Sequence, residues 1–102
     1  MWVYEGLAEY FSKNEDLKLT PQQINQYLSF SLGNSFPDYS ANYRGGESVY
    51  RFMESGYGKE ITKQFIAGTY SVSVEQAINN AFEKDINEIE REWKEGLEMN
   101  SN

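Results

Sequence analysis

Two helices are predicted by residues 73–97, which have the sequence SVEQAINNAFEKDINEIEREWKEGL. Ser73 is followed three residues later by Gln76, and Asp85 is followed by Glu88 at the same distance. This spacing is typical of the capping box at the start of a helix. After each start the apolar residues recur at intervals of three and four, which places them on one helical face. These apolar positions are Val74, Ala77, Ile78, Ala81 and Phe82 in the first helix and Ile86, Ile89, Trp93 and Leu97 in the second.

A third start signal lies at Thr20-Pro21. Threonine is a good N-cap, and proline at the first helical position gives up no N–H that the helix needs. Gln23 completes the capping-box spacing. Apolar periodicity and glycine breaks predict the other helices. The predicted helices cover residues 2–12, 21 onward, about 40–55, about 59–67, 74 onward and 86 onward, with a loop at residues 32–38.

Two adjacent glycines, Gly45 and Gly46, fall inside the third predicted helix. Because a glycine inside a helix costs about 1 kcal/mol relative to alanine, the pair predicts a close helix crossing or a functional approach to the backbone. The one β-like stretch, residues 69–72, is short. We therefore expect an all-α fold, a small bundle of five or six short helices, in a single helical domain covering residues 1–102.

The composition excludes several classes of function. The 102 residues include no cysteine and no histidine, so thiolate chemistry and Ser–His or Cys–His nucleophile pairs are excluded. A formal net charge of −7, from nine basic and sixteen acidic residues, disfavours a nucleic-acid partner, which would need clustered lysine and arginine. No apolar run approaches the roughly 18 residues of a membrane span, so we expect no membrane insertion.

The N-terminal residues 2–11 have the sequence WVYEGLAEYF. This stretch resembles the second metal-binding helix of gluzincin metallopeptidases of the peptidase MA-like group, in which a tryptophan precedes a helix close to Glu-Gly-Leu-Ala-x-Tyr. The resemblance implies that Glu5 is the third zinc ligand. It also implies that the small Gly6 and Ala8 let this helix approach the helix that carries the other two ligands. On the residues alone, Glu5 and Glu9 are better explained as a solvated acidic face.

The rest of the chain resembles the downstream part of the same family. Tyr43 resembles the tyrosine that hydrogen-bonds the oxyanion of the tetrahedral intermediate, which would make it the catalytic residue of this segment. On the residues alone, Tyr43 is a partly buried aromatic at a helix interface. The stretch from Ser73 to Phe82 and the closing Trp93 resemble the last two helices of the family. The residues alone predict that Trp93 is a core anchor.

One departure from the family limits what this chain can do. The His-Glu-x-x-His helix of the family supplies two zinc ligands and the general base, and this sequence contains no histidine. A catalytic zinc needs three protein ligands and an open position for water. The resemblance therefore implies the C-terminal part of a zinc metallopeptidase domain, catalytically incomplete as this chain. Zinc belongs to the parent family, and a peptide substrate is expected only if the full site is rebuilt.

Two alternatives remain open. In the first, the chain is a non-catalytic helical interaction domain. The residues Trp2, Leu7, Ala8 and Phe11 of its first helix would then lack cover, so the chain would form a homodimer through that helix or dock with a missing upstream segment. In the second, a ligand cleft lies between the first and third helices. The tyrosines that could line this cleft are Tyr4, Tyr10, Tyr43 and Tyr50.

Overall fold

A computed structural model describes residues 1–12 and 17–99. Within these ranges the secondary structure is entirely helical, so the expected all-α bundle of short helices is confirmed. The six helices of the described part are α1 (Trp2–Ser12), α2 (Pro21–Tyr27), α3 (Tyr39–Tyr57), α4 (Lys59–Gly68), α5 (Val74–Phe82) and α6 (Ile86–Met99). None of them is long and apolar enough to cross a membrane, as the sequence predicted.

The capping signals act as predicted. The Thr20 hydroxyl accepts a hydrogen bond from the Gln23 N–H at 3.1 Å, and the Gln23 side chain accepts one from the Thr20 N–H at 2.9 Å. The hydroxyl of Ser73 accepts from the Gln76 N–H at 3.2 Å. At the start of α6, the Asp85 carboxylate accepts from the Glu88 N–H at 2.9 Å. Each bond satisfies an amide at a helix start that has no partner within the helix.

The close crossing predicted from the glycines lies between α1 and α3. A methyl group added to Gly6 would lie 2.5 Å from the Cα atom of Gly46, which real Cβ atoms essentially never do. Trp2 lies against Gly46, and Tyr10 hydrogen-bonds Glu54, so the two helices run side by side in the same direction. Gly45 faces the other way, where an added methyl group would lie 2.9 Å from the Phe36 ring.

The centre of the core is a row of four aromatic rings. Trp2 stacks between Phe65 and Phe36, with ring planes 8° and 17° from parallel. Phe36 in turn stacks on Trp93 at 5.9 Å between centroids. The row joins α4, α1, the loop before α3 and α6. Trp93 is 1% exposed, which confirms it as a core anchor.

The loop before α3 is held by a buried polar side chain. The Asn42 amide oxygen accepts from the Phe36 N–H at 3.0 Å, and its nitrogen donates to the carbonyls of Phe36 and Asp38 at 3.0 and 2.9 Å. The Trp2 indole N–H donates to the Leu32 carbonyl at 2.9 Å. These bonds satisfy backbone groups that the loop buries, and they fix Phe36 in the ring row.

Candidate functional site

The inward face of α1 differs from the prediction. Trp2 is 0% exposed and is covered by this chain's own rings, so the expectation that it belongs to an uncovered stripe is wrong. Val3 and Gly6 are also buried. The physical reason is helical geometry: Leu7 follows Trp2 by five residues, which turns it about 140° around the helix axis. Trp2 and Leu7 therefore cannot share one narrow face.

An apolar stripe nevertheless faces solvent on α1. Tyr4 and Phe11 are 54% and 68% exposed, Ala8 is exposed and Leu7 is partly buried. Their spacing of i, i+3, i+4 and i+7 places these four residues on one side of the helix. We call Tyr4, Leu7, Ala8 and Phe11 the outer face of α1. Their exposure leaves an apolar surface that no described residue of this chain covers fully.

The predicted zinc ligand, Glu5, lies one position along from Tyr4 on the same helix. Its carboxylate accepts a hydrogen bond from the terminal amine of Met1 at 2.9 Å. This hydrogen bond is the main reason that the pKa of Glu5 lies below its usual value. The carboxylate is therefore ionised at neutral pH, and in this chain it is paired with the terminal amine.

The predicted catalytic tyrosine, Tyr43, lies in the first turns of α3. Its hydroxyl is 2.9 Å from the hydroxyl of Tyr39, and the two rings are 4.8 Å apart. The hydrogen bond with Tyr39 is the largest cause of a raised Tyr43 pKa, and the negative charges of Glu5 and Glu9 also raise it. Tyr43 lies one turn before Gly46, where α3 touches α1, and it stays protonated at neutral pH.

The residues of this chain do not fit a catalytic zinc by themselves. No group of three or more acidic, histidine or cysteine side chains converges within the described residues. The sequence has no imidazole, so the two ligands that the family takes from its His-Glu-x-x-His helix cannot come from this chain. Glu5 and Tyr43 both flank the contact between Gly6 and Gly46.

The predicted tyrosine-lined cleft is not found between α1 and α3. The backbones touch at Gly6 and Gly46, which leaves no room for a ligand there. Tyr50 is 0% exposed and donates its hydroxyl hydrogen to the Val3 carbonyl at 2.8 Å. Tyr10 donates to the Glu54 carboxylate, and burial is the main cause that raises the Tyr10 pKa to about 12. Both hydroxyls join α1 to α3 and are part of the interface.

A buried ion pair on α3 was missed by the sequence analysis. Glu47 is 1% exposed and accepts a hydrogen bond from Arg51 at 2.9 Å through one carboxylate oxygen. Its other oxygen, Oε1, is buried without a hydrogen-bond partner among the described residues. The spacing of four residues between an acid and an arginine could have suggested the pair. Its burial could not be inferred, because such pairs usually lie on solvated helix faces.

Comparisons with protein family models, curated proteins and solved structures find no match for this chain. The assignment of Glu5 and Tyr43 therefore stays a prediction from the resemblance of residues 2–11 to the gluzincin helix.

Proposed function

We propose that this chain is the C-terminal part of a peptidase MA-like zinc metallopeptidase domain and that it is catalytically incomplete by itself. The observation that supports the proposal is the arrangement at the contact between α1 and α3. Glu5 directly precedes Gly6 and Tyr43 lies one turn before Gly46, so the two residues that the resemblance marks flank the point where α1 and α3 touch. A helix carrying the missing ligands would find an apolar surface to pack on and a carboxylate beside it.

The outer face suits a packed helix for two reasons. Ala8 lies between Tyr4 and Phe11, and its small side chain allows a neighbouring helix to come close. A partner helix would remove much of the exposed apolar area of the Tyr4 and Phe11 rings from water. Each Å² removed contributes about 25 cal/mol of favourable free energy. Gly6 does not serve this purpose, since it is buried against Gly46. Zinc binding and peptide hydrolysis belong to the assembled domain.

The proposal is tested by the coding sequence that precedes Met1. We expect a His-Glu-x-x-His motif there, and a protein expressed with that segment should bind one zinc and hydrolyse a peptide substrate. Glu5→Ala should reduce zinc affinity at least tenfold, because it removes one of three ligands. Glu9→Ala, one turn further along α1, is the matched control and should leave zinc affinity nearly unchanged. Absence of the motif, or equal effects of the two variants, would contradict the proposal.

A second candidate function is self-association through the same outer face. The exposure of Tyr4 and Phe11 favours it, because an uncovered apolar stripe usually marks an interface. Analytical ultracentrifugation of the chain should then show a dimer that dissociates in Phe11→Ser. Met99→Ser, which changes a residue that is 77% exposed at the far end of α6, is the control and should leave the dimer intact. A monomer over the whole concentration range would reject this candidate.

A further inference from the structure

A cavity of about 750 Å³ lies between α3, α6 and residues 17–24, away from the outer face of α1. Its volume is within the range of about 300 to 1,000 Å³ that is typical of small-molecule sites. The walls are mainly apolar and include the indole of Trp93 at one side. The apolar lining residues are Leu17, Leu19, Ile24, Phe52, Trp93 and Leu97.

One of the residues that line this cavity is a glycine inside α6. Gly96 lines the cavity in the last turns of the helix, and a methyl group added there would meet no described atom within 4 Å. Glycine in a helix costs about 1 kcal/mol relative to alanine. At Gly6 and Gly46 a backbone contact explains that cost, whereas no contact of this kind explains it at Gly96. A larger side chain at Gly96 would therefore have room to extend along the cavity wall.

The cavity has one exposed lysine at its wall, Lys18, and one arginine that is already paired with an acid. The chain has a formal net charge of −7, yet the two charged residues among the described lining residues, Lys18 and Arg51, are both cationic. Arg51 is held against the wall by its ion pair with Glu47 at 2.9 Å. Lys18 is exposed, so its long side chain can reach a ligand at the mouth of the cavity.

We propose that this cavity binds an amphiphilic carboxylate, a fatty acid whose alkyl chain lies against the partly exposed Leu19 and Phe52 and whose carboxylate pairs with Lys18. The alkyl chain would remove apolar wall from water, which is the main favourable contribution to binding. The lysine ammonium would form a charge-assisted hydrogen bond with the carboxylate. The site is separate from Glu5 and Tyr43, so the inference is independent of the proposed metallopeptidase relationship.

Titration of the full chain with decanoate, followed by calorimetry and by tryptophan fluorescence, tests this proposal. We expect saturable binding of one decanoate per chain and a change in tryptophan emission, since Trp93 lines the cavity and Trp2 does not. Gly96→Leu fills the cavity and should weaken binding at least tenfold. Ala67→Leu places the same side chain at an exposed position of α4 and should bind decanoate as the unchanged protein does.

Two further measurements distinguish the contribution of the alkyl chain to binding from that of the carboxylate. Lys18→Gln should weaken decanoate binding several-fold and leave 1-decanol binding unchanged, because only the carboxylate needs the ammonium group. If Gly96→Leu loses its helical circular dichroism, Ser55→Phe at the cavity wall replaces it, since Ser55 is exposed and its change leaves the core intact. Three results would overturn the proposal. The first is the absence of saturable decanoate binding below about 1 mM, and the second is unchanged binding in a folded cavity-filling variant. The third is an equal effect of Lys18→Gln on the binding of decanoate and of 1-decanol.

Discussion

Gly46 shows most directly how one residue determines the fold. A methyl group added there would lie 2.5 Å from the Trp2 carbonyl oxygen, which is backbone and cannot rotate away. Gly46→Ala must therefore push α1 off α3. We expect a loss of about 2 kcal/mol or more in the free energy of unfolding, as is usual for overpacking at a rigid contact.

Gly96→Ala is the matched control for this prediction. It is also a helical glycine, but an added methyl group there meets no described atom within 4 Å. Its expected effect is a gain of about 0.5 to 1 kcal/mol, because alanine favours the helix. Urea unfolding measured for both variants checks the prediction, and effects of the same sign would contradict it.

The Glu47–Arg51 pair yields a second prediction for single residues. Arg51→Ala removes the group that hydrogen-bonds the buried Glu47 carboxylate, and one oxygen of that carboxylate already has no partner among the described residues. We expect a loss of about 2 to 3 kcal/mol, since a buried charge without its partner is costly. Adding Glu47→Gln should recover part of that loss, because the charge is gone. A double-mutant cycle by chemical denaturation measures the coupling, and additive effects would show that the pair is not coupled.

At the scale of elements, helix starts are the features that the sequence predicts best. The caps at Thr20, Ser73 and Asp85 rest on contacts within four residues, so short-range spacing is sufficient to find them. The start of α3 was less well defined, because its cap Asp38 lies next to a proline in a stretch with several turn residues. Its side chain accepts from the Ala41 N–H at 2.7 Å.

Helix α1 shows where a prediction from the local sequence pattern fails. Both of its sides are apolar, so periodicity alone could not decide which side faces the core. Long-range contacts decide it: Trp2 enters the core because Phe36, Phe65 and Gly46 provide a ring stack and a close backbone approach. The paired glycines correctly predicted the close crossing, whereas the apolar spacing of α1 placed Trp2 on the wrong side. The proposed roles of Glu5 and Tyr43 depend on a second segment that would carry the other zinc ligands. The packing of this chain alone therefore does not predict them.

A polar cluster joins the end of α3 to the middle of α6 and predicts a pH dependence. The Tyr57 hydroxyl donates to Glu92 at 2.6 Å, and Lys84 donates to both residues at 3.0 and 2.8 Å. The hydrogen bond from Lys84 is the largest cause of a lowered Glu92 pKa. A lowered pKa in the folded state stabilises the protein above the unfolded value near 4.5 and loses this contribution as the pH falls below it.

Glu92→Gln should therefore flatten the acid side of the stability profile. We expect a loss of about 0.5 kcal/mol at pH 7, because the cluster is partly exposed to solvent, and almost no difference from the unchanged protein near pH 2. Thermal unfolding followed between pH 7 and pH 2 measures both limits. Glu95→Gln is the control, since its pair with Arg91 is exposed on both sides. A constant difference across the pH range would contradict the prediction.

At the scale of the whole molecule, the ring row connects elements that are far apart in sequence. Phe65, Trp2, Phe36 and Trp93 come from three helices and one loop, and each ring is at most 4% exposed. Short helices such as α2 and α5 have little stability of their own. Cooperative folding of the chain therefore depends on this shared contact, and the loop residue Phe36 occupies an inner position of the row.

Phe36→Ala should consequently destabilise the whole molecule although it changes a loop. The substitution removes a ring that stacks on Trp2 and Trp93 and leaves a cavity, which typically costs about 3 to 5 kcal/mol. Since a domain of this size has about 5 to 15 kcal/mol in total, Tm should fall by more than about 10 °C. Tyr39→Ala, at a ring that is 74% exposed three residues later, should shift Tm by only a few degrees. Calorimetry and near-ultraviolet circular dichroism distinguish the two variants. Equally small Tm shifts for the two variants would contradict the prediction. They would mean that cooperative folding of the helices does not depend on the row of rings.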